Sequence, residues 1–187
     1  MQKWQISATL AVAVLTFMLA SAPVAQADDI VCRRTLGAIT VDNVVVPNDQ
    51  VCILDGTIVE GNIKVLTRAT LRAYEVSVDG NIQAEGARAV FVNPGSFVGG
   101  NIQIKQGGRA RINRVDIGGD LQFEENRGAL YATRNHIDGN LQAWKNTGGL
   151  TISFNVIAEN LQCKENNPPP TGGGNIAGDK EGQCRNL

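Results

Sequence analysis

Histidine, methionine and aromatic side chains are scarce in this chain of 187 residues, which has one His, two Met and nine Phe, Trp and Tyr together. So few rings suit a thin aliphatic core better than a few large packed helices. Neither sign of charge is in excess: without the leader described below, 16 basic side chains face 18 acidic ones. No bias towards a polyanion partner follows from that balance, and nucleic acid is not expected as a ligand. After residue 27 no window keeps apolar residues at i, i+3, i+4 and i+7, which excludes helical and leucine-rich repeats. No second long apolar run follows the first, so no membrane span is expected in the mature chain.

What is present begins with a leader. Residues 1–27 combine Lys3, an apolar run at 6–20 and the small-residue end Ala25-Gln26-Ala27. This is the anatomy of a secretory signal peptide cleaved after Ala27, giving a secreted or periplasmic protein. Export sets the redox context for Cys32, Cys52, Cys163 and Cys184, which cluster at the two ends of the mature chain. Of three possible pairings, Cys32 with Cys52 and Cys163 with Cys184 is favoured. Each closes a loop of about 20 residues and fastens one terminus, adding roughly 3 kcal/mol in the chain-entropy picture. A zinc site competes poorly, because no C-x-x-C spacing exists and one His is available.

Glycine, at 21 residues, punctuates a recurring phrase: "EGNIKV", "DGNIQA", "GGNIQI", "GGDLQF", "DGNLQA". Taking its Asn as a marker gives Asn43, Asn62, Asn81, Asn101, Asp120, Asn140 and Asn160, at steps of 19 or 20 residues. Seven similar units at that period predict a solenoid in which no unit buries its apolar face alone. Within a unit, such as "NIQIKQGGRARINRVDIGG", three stretches alternate apolar with polar and are separated by turn residues, which reads as three strands and three corners. One position after the marker stands an all-aliphatic row running from Val44 through Ile102 to Leu161. Outward rows differ: Lys64, Gln83, Gln103, Gln122, Gln142 and Gln162 form a polar ladder, Glu85, Lys105, Glu124, Trp144 and Lys164 a mixed-charge row, and Arg72, Phe91, Arg111, Tyr131 and Thr151 a row that alternates guanidinium and ring.

The expected fold is therefore all-β, a single-stranded parallel β-helix of about seven coils, with the irregular step of 19 or 20 favouring the right-handed form. Its expected parts are the signal peptide (1–27), an N-terminal cap (28–42), the β-helix (43–163) and a disulfide-closed C-terminal cap (164–187). The three prolines at 168–170 are expected to end the ladder. Units such as "VEGNIKV", "VDGNIQA" and "VGGNIQI", over about residues 40–165, resemble the repeat phrase of bactofilins, bacterial β-helical scaffolds, and of secreted bacterial proteins of the same repeat type. The resemblance implies a scaffold fold and end-to-end polymerisation; the leader and the cysteines at both ends distinguish this chain from typical bactofilins.

Three groups of residues could carry chemistry. Glu60 with Asp79 and Glu124 with Glu125 are the best paired carboxylates, as an exported polysaccharide lyase or hydrolase would need. His136 should stack above Asp116, but Phe97 and Val156 flank the pair where a nucleophile would stand. Both patterns arise more often on solvated corners. The remaining candidate is recognition by Arg72, Phe91, Arg111 and Tyr131. The sequence thus predicts a secreted, non-enzymatic β-solenoid at the cell envelope, a structural or interaction module for polysaccharide or an envelope protein. A carbohydrate-active enzyme and a self-assembling scaffold are the alternatives, and no metal or other cofactor is expected.

Overall fold

The structure, a computed structural model, describes residues 29–187; the expected signal peptide lies outside the described residues. The described chain contains strands and no helix, wound into about eight turns. Each of the first seven turns contributes one strand to each of three parallel sheets, and the C-terminal residues add two strands to the first and one to the second, giving sheets of nine, eight and seven strands, numbered here first, second and third in chain order. Strand residues alternate buried with half-buried or exposed, as in Leu121–Glu124 and Leu130–Thr133, because period-two stretches place alternate side chains on opposite faces. The expected aliphatic row forms residue for residue. Val44 pairs with Ile63, Ile63 with Ile82, Ile82 with Ile102, Ile102 with Leu121, Leu121 with Leu141 and Leu141 with Leu161, all fully buried. Each such side chain contributes about 1.5–3 kcal/mol before chain entropy is charged against it.

The β-helix extends beyond residues 43–163 in both directions. Residues read as an N-terminal cap form a complete first turn: Asp29–Val31, Thr35–Leu36 and Thr40–Val41 each pair in parallel with the turn above. At the other end Thr171–Gly173 and Asp179–Gly182 continue the second and first sheets. Pro168, Pro169 and Pro170 therefore do not end the ladder. They lie in the corner between strands, where no ladder amide is required, and pairing resumes at Thr171. The favoured disulfides are present, Cys32–Cys52 and Cys163–Cys184, with all four cysteines buried at the two ends of the core. Leu187 packs against the same core.

The corners carry most of the sequence's peculiarities. Between third and first sheets, each marker side chain accepts the marker amide of the next turn: Asn43 Oδ1 from Asn62 N–H at 2.8 Å, Asn81 Oδ1 from Asn101 N–H at 2.8 Å, Asp120 Oδ1 from Asn140 N–H at 2.7 Å. The glycine before the marker follows from this bond. A Cβ at Gly100 would stand 2.5 Å from Asn81 Oδ1, and one at Gly80 2.7 Å from Asn62 Oδ1. Glu159 replaces the glycine in a late turn, where the bond lengthens to 3.1 Å.

The other two corners turn on left-handed residues that are mostly not glycine, including Glu125 (φ 55°), Arg134 (φ 56°), Lys145 (φ 52°) and Phe154 (φ 58°). Such conformations cost roughly 1–2 kcal/mol each in an L-residue. The next residue then points its amide along the axis and its side chain inward. From residue 126 onward that residue is Asn, in two buried rows: Asn126, Asn146, Asn166 and Asn135, Asn155, Asn175. Asn155 Oδ1 accepts both N–H and Nδ2–H of Asn135 (3.0 and 2.9 Å), while its Nδ2 donates to Ala132 O (2.9 Å) and to Asn175 Oδ1 (2.8 Å). Among the described residues no buried side-chain nitrogen or oxygen lacks a partner.

Replacing Asn155 by Ala would strand the Asn135 amide and the Ala132 carbonyl in the core. The expected loss is about 2–4 kcal/mol in urea-monitored unfolding. Asn113→Ala, in an outward-facing and half-buried position, should cost under about 1 kcal/mol. Equal losses would remove the structural role assigned to the buried rows.

Candidate functional site

The candidate row lies on the outer face of the second sheet. Parallel pairing sets Arg72 beside Phe91, Phe91 beside Arg111, Arg111 beside Tyr131 and Tyr131 beside Thr151. The four predicted site residues are therefore neighbours on successive turns. The Arg72 guanidinium carbon stands 5.3 Å from the Phe91 ring centroid, a cation–π distance, and Tyr131 is 44% exposed. Beside this row Thr133 Oγ1 donates to Asn113 Oδ1 at 2.8 Å and Asn93 Nδ2 to Ala73 O at 2.9 Å, bonds that tie the adjacent polar row to the wall. The result is an outward-facing strip with two guanidiniums, Arg72 and Arg111, two rungs and about 10 Å apart, bounded by Ile53 and Thr151 on the rungs beyond.

On the first sheet the expected ladder is bonded from Gln103 to Gln162, whereas Lys64 and Gln83 make no side-chain hydrogen bond to it among the described residues. Gln103, Gln122 and Gln142 each donate through Nε2 to Oε1 of the next Gln, at 3.1, 3.0 and 2.9 Å. Lys105 Nζ meets Glu124 Oε2 at 2.9 Å, so the mixed-charge row attracts between turns. An open depression of about 330 Å³ beside it is lined by Glu124, Trp144, Lys145, Lys164 and Glu165.

The catalytic candidates are placed differently. Glu124 is engaged by Lys105, and Glu125 accepts from Gln106 Nε2 at 3.1 Å with Lys145 Nζ 4.0 Å away, so each carboxylate belongs to its own ion pair. Glu60 and Asp79 are exposed at the third corner on successive turns. His136 does stack on Asp116, but its Nδ1 lies 3.6 Å from Asp138 Oδ1, and Val156 and Phe97 flank the stack. The arrangement brings no nucleophile to the imidazole.

Sequence reasoning passed over one cluster. At the corner between first and second sheets, Arg68 Nε and Nη2 donate to the two carboxylate oxygens of Asp49, both at 2.7 Å, and Arg88 Nη2 lies 3.9 Å from Asp49 Oδ1. Asp49 and Arg68 are 19 residues apart, one unit of the repeat, and both are left-handed. Their shared period was the available signal.

The Arg68 hydrogen bond, aided by the charges of Arg68 and Arg88, holds the Asp49 carboxyl below the usual carboxylate range. Because the folded-state value is depressed, any stabilisation from the pair is complete above the ordinary value and is lost as pH falls through the depressed one. Carboxyl-carbon NMR titration should show Asp49 moving up toward the ordinary range in Arg68→Gln; an unchanged titration would mean that the pair does not persist in solution. Comparison of the chain with family models, with curated proteins and with solved structures returned no match.

Proposed function

We propose that this β-solenoid is a secreted, non-enzymatic module of the cell envelope that recognises a polymeric partner, a polysaccharide in the first instance, along the outer face of its second sheet. The observation that carries the reading is the in-register row Arg72, Phe91, Arg111, Tyr131 on a wall whose backbone is hydrogen-bonded turn to turn. A linear polymer with a repeating unit meets a linear protein surface with a repeating rung. Aromatic faces take the apolar side of a sugar ring, and guanidinium groups donate in pairs to its oxygens. The leader-like residues 1–27 support export, and two disulfides suit an oxidising compartment. The bactofilin-like repeat phrase supports the scaffold part of the reading. Catalysis is disfavoured by carboxylates that pair with lysine rather than with one another.

Glycan-array binding of the mature protein tests this. Binding is expected, with loss of most of the signal in Arg72→Ala/Arg111→Ala and no cleavage products in the bound polysaccharide. Absence of any glycan signal would overturn carbohydrate recognition, and product release would overturn the non-enzymatic reading.

A further inference from the structure

The near-zero net charge conceals a sorting of charge around the cross-section. Ten of the eleven arginines lie on one arc of the coil, formed by the second sheet and the corners at its two edges. The opposite edge, formed by the third sheet and the corner that follows it, holds seven carboxylates from Asp42 to Glu159 and no Lys or Arg. In three central turns the arginine arc (residues 86–96, 106–115 and 125–135) carries Arg88, Arg109, Arg111, Arg114, Arg127 and Arg134 against the single carboxylate Glu125. All six guanidinium-bearing residues are exposed.

Two details separate this arc from an ordinary solvated surface. On the first sheet, charges on successive turns alternate in sign and meet, as in Lys105 and Glu124. The arc has such pairs too, Asp49 with Arg68 and Glu125 with Lys145, but in its central turns Arg114 and Arg134 hold the same left-handed corner position one rung apart, an arrangement that repels. Moreover, Arg109, Arg111, Arg114 and Arg127 make no ion pair within 4.0 Å among the described residues. In these three turns every cation on the arc is arginine, and the arc's one lysine, Lys145, stands in the turn that follows; the first sheet instead uses lysine, at Lys64, Lys105, Lys164 and Lys180. Guanidinium is the group that grips a planar carboxylate with two parallel hydrogen bonds.

We infer that the arginine arc binds a linear polyuronate, a polysaccharide carrying a carboxylate on each sugar, laid parallel to the solenoid axis. This rests on the second sheet being the recognition face and names the polymer that face would take. Phe91 and Tyr131 interrupt the guanidinium row with ring faces for sugar, which a phosphate polymer would not need. The acidic edge on the far side confines an anionic chain to this one arc.

The test is titration of the mature protein with polygalacturonate, and with dextran, phosphatidylglycerol vesicles and a single-stranded oligonucleotide as comparisons. Polygalacturonate should bind, more weakly as salt rises, and dextran should not. Arg109→Gln/Arg111→Gln/Arg127→Gln should weaken binding by about tenfold or more, while Lys64→Gln/Lys164→Gln/Arg185→Gln, which removes equal charge elsewhere, should change it less than about twofold. Circular dichroism checks that both variants fold; if one does not, the wild-type ranking of polymers and its salt dependence still decide. Equal weakening by the two variants, preference for vesicles or oligonucleotide, or no polyanion bound would each overturn the inference. Neutral glycan bound without polygalacturonate would overturn it while leaving the glycan-binding module standing. Failure of every glycan would remove both.

Discussion

A parallel coil satisfies its strand amides through the turns on either side, but at each corner the chain leaves the ladder and carries polar backbone groups around a bend in the core wall. Nearly everything distinctive in this structure answers that constraint. The marker Asn row takes the amides at one corner, and from Gly107 onward the buried Asn rows take them at the other two. A buried amide without a partner costs about 1–3 kcal/mol, so a molecule of eight turns with unsatisfied corners would forfeit its stability many times over. The left-handed residues are tolerable for the same reason: their strain is offset by a bond that only this bend can present to the next turn.

Once corners and core set the period, side chains on the outer faces can vary with little effect on stability. Exposed ion pairs contribute about 0–1 kcal/mol, against about 1.5–3 kcal/mol for each buried aliphatic side chain in the rows beneath. Stacking then does to charge what it does to Ile and Leu: a residue type repeated at one position becomes a line. Pairing in register makes Lys105 attract Glu124 on one wall and makes Arg114 repel Arg134 at the edge of another. The same winding produces both, so the difference between them lies in which residues each wall carries. Repulsion kept where a Glu one turn away would relieve it is a feature of surface chemistry, not of folding.

The aliphatic row from Val44 to Leu161 was legible residue by residue because period-two alternation and the 19–20 residue step are strong signals. The first turn was not. Asp29 occupies the marker column opposite Asn43, but only 14 residues earlier, because the first turn has shorter corners. The two buried Asn rows recur at 20-residue spacing, yet Asn beside Gly or a charged residue reads as solvated turn, and nothing local says that the bend points it inward. The Arg72 row was visible as a column. The charge sorting around it was not, because a net-charge sum averages over an axis that exists only after winding.

The two ends and the middle of such a solenoid are mechanically unlike. An end turn has a neighbour on one side and loses half of the cross-turn hydrogen bonds available to a central one, so fraying begins there. Both disulfides sit at those ends, inside the core, Cys32 joined to Cys52 on the next turn and Cys163 to Cys184 beyond the last long strand. The central turns need no such link, being held from both sides, and their second-sheet side carries the six arginines of the arc against the one carboxylate Glu125. A binding surface on rungs already fixed by backbone pairing gives up little further freedom when a stiff polymer lies along it, leaving the side chains' own ordering as the main entropic cost of association.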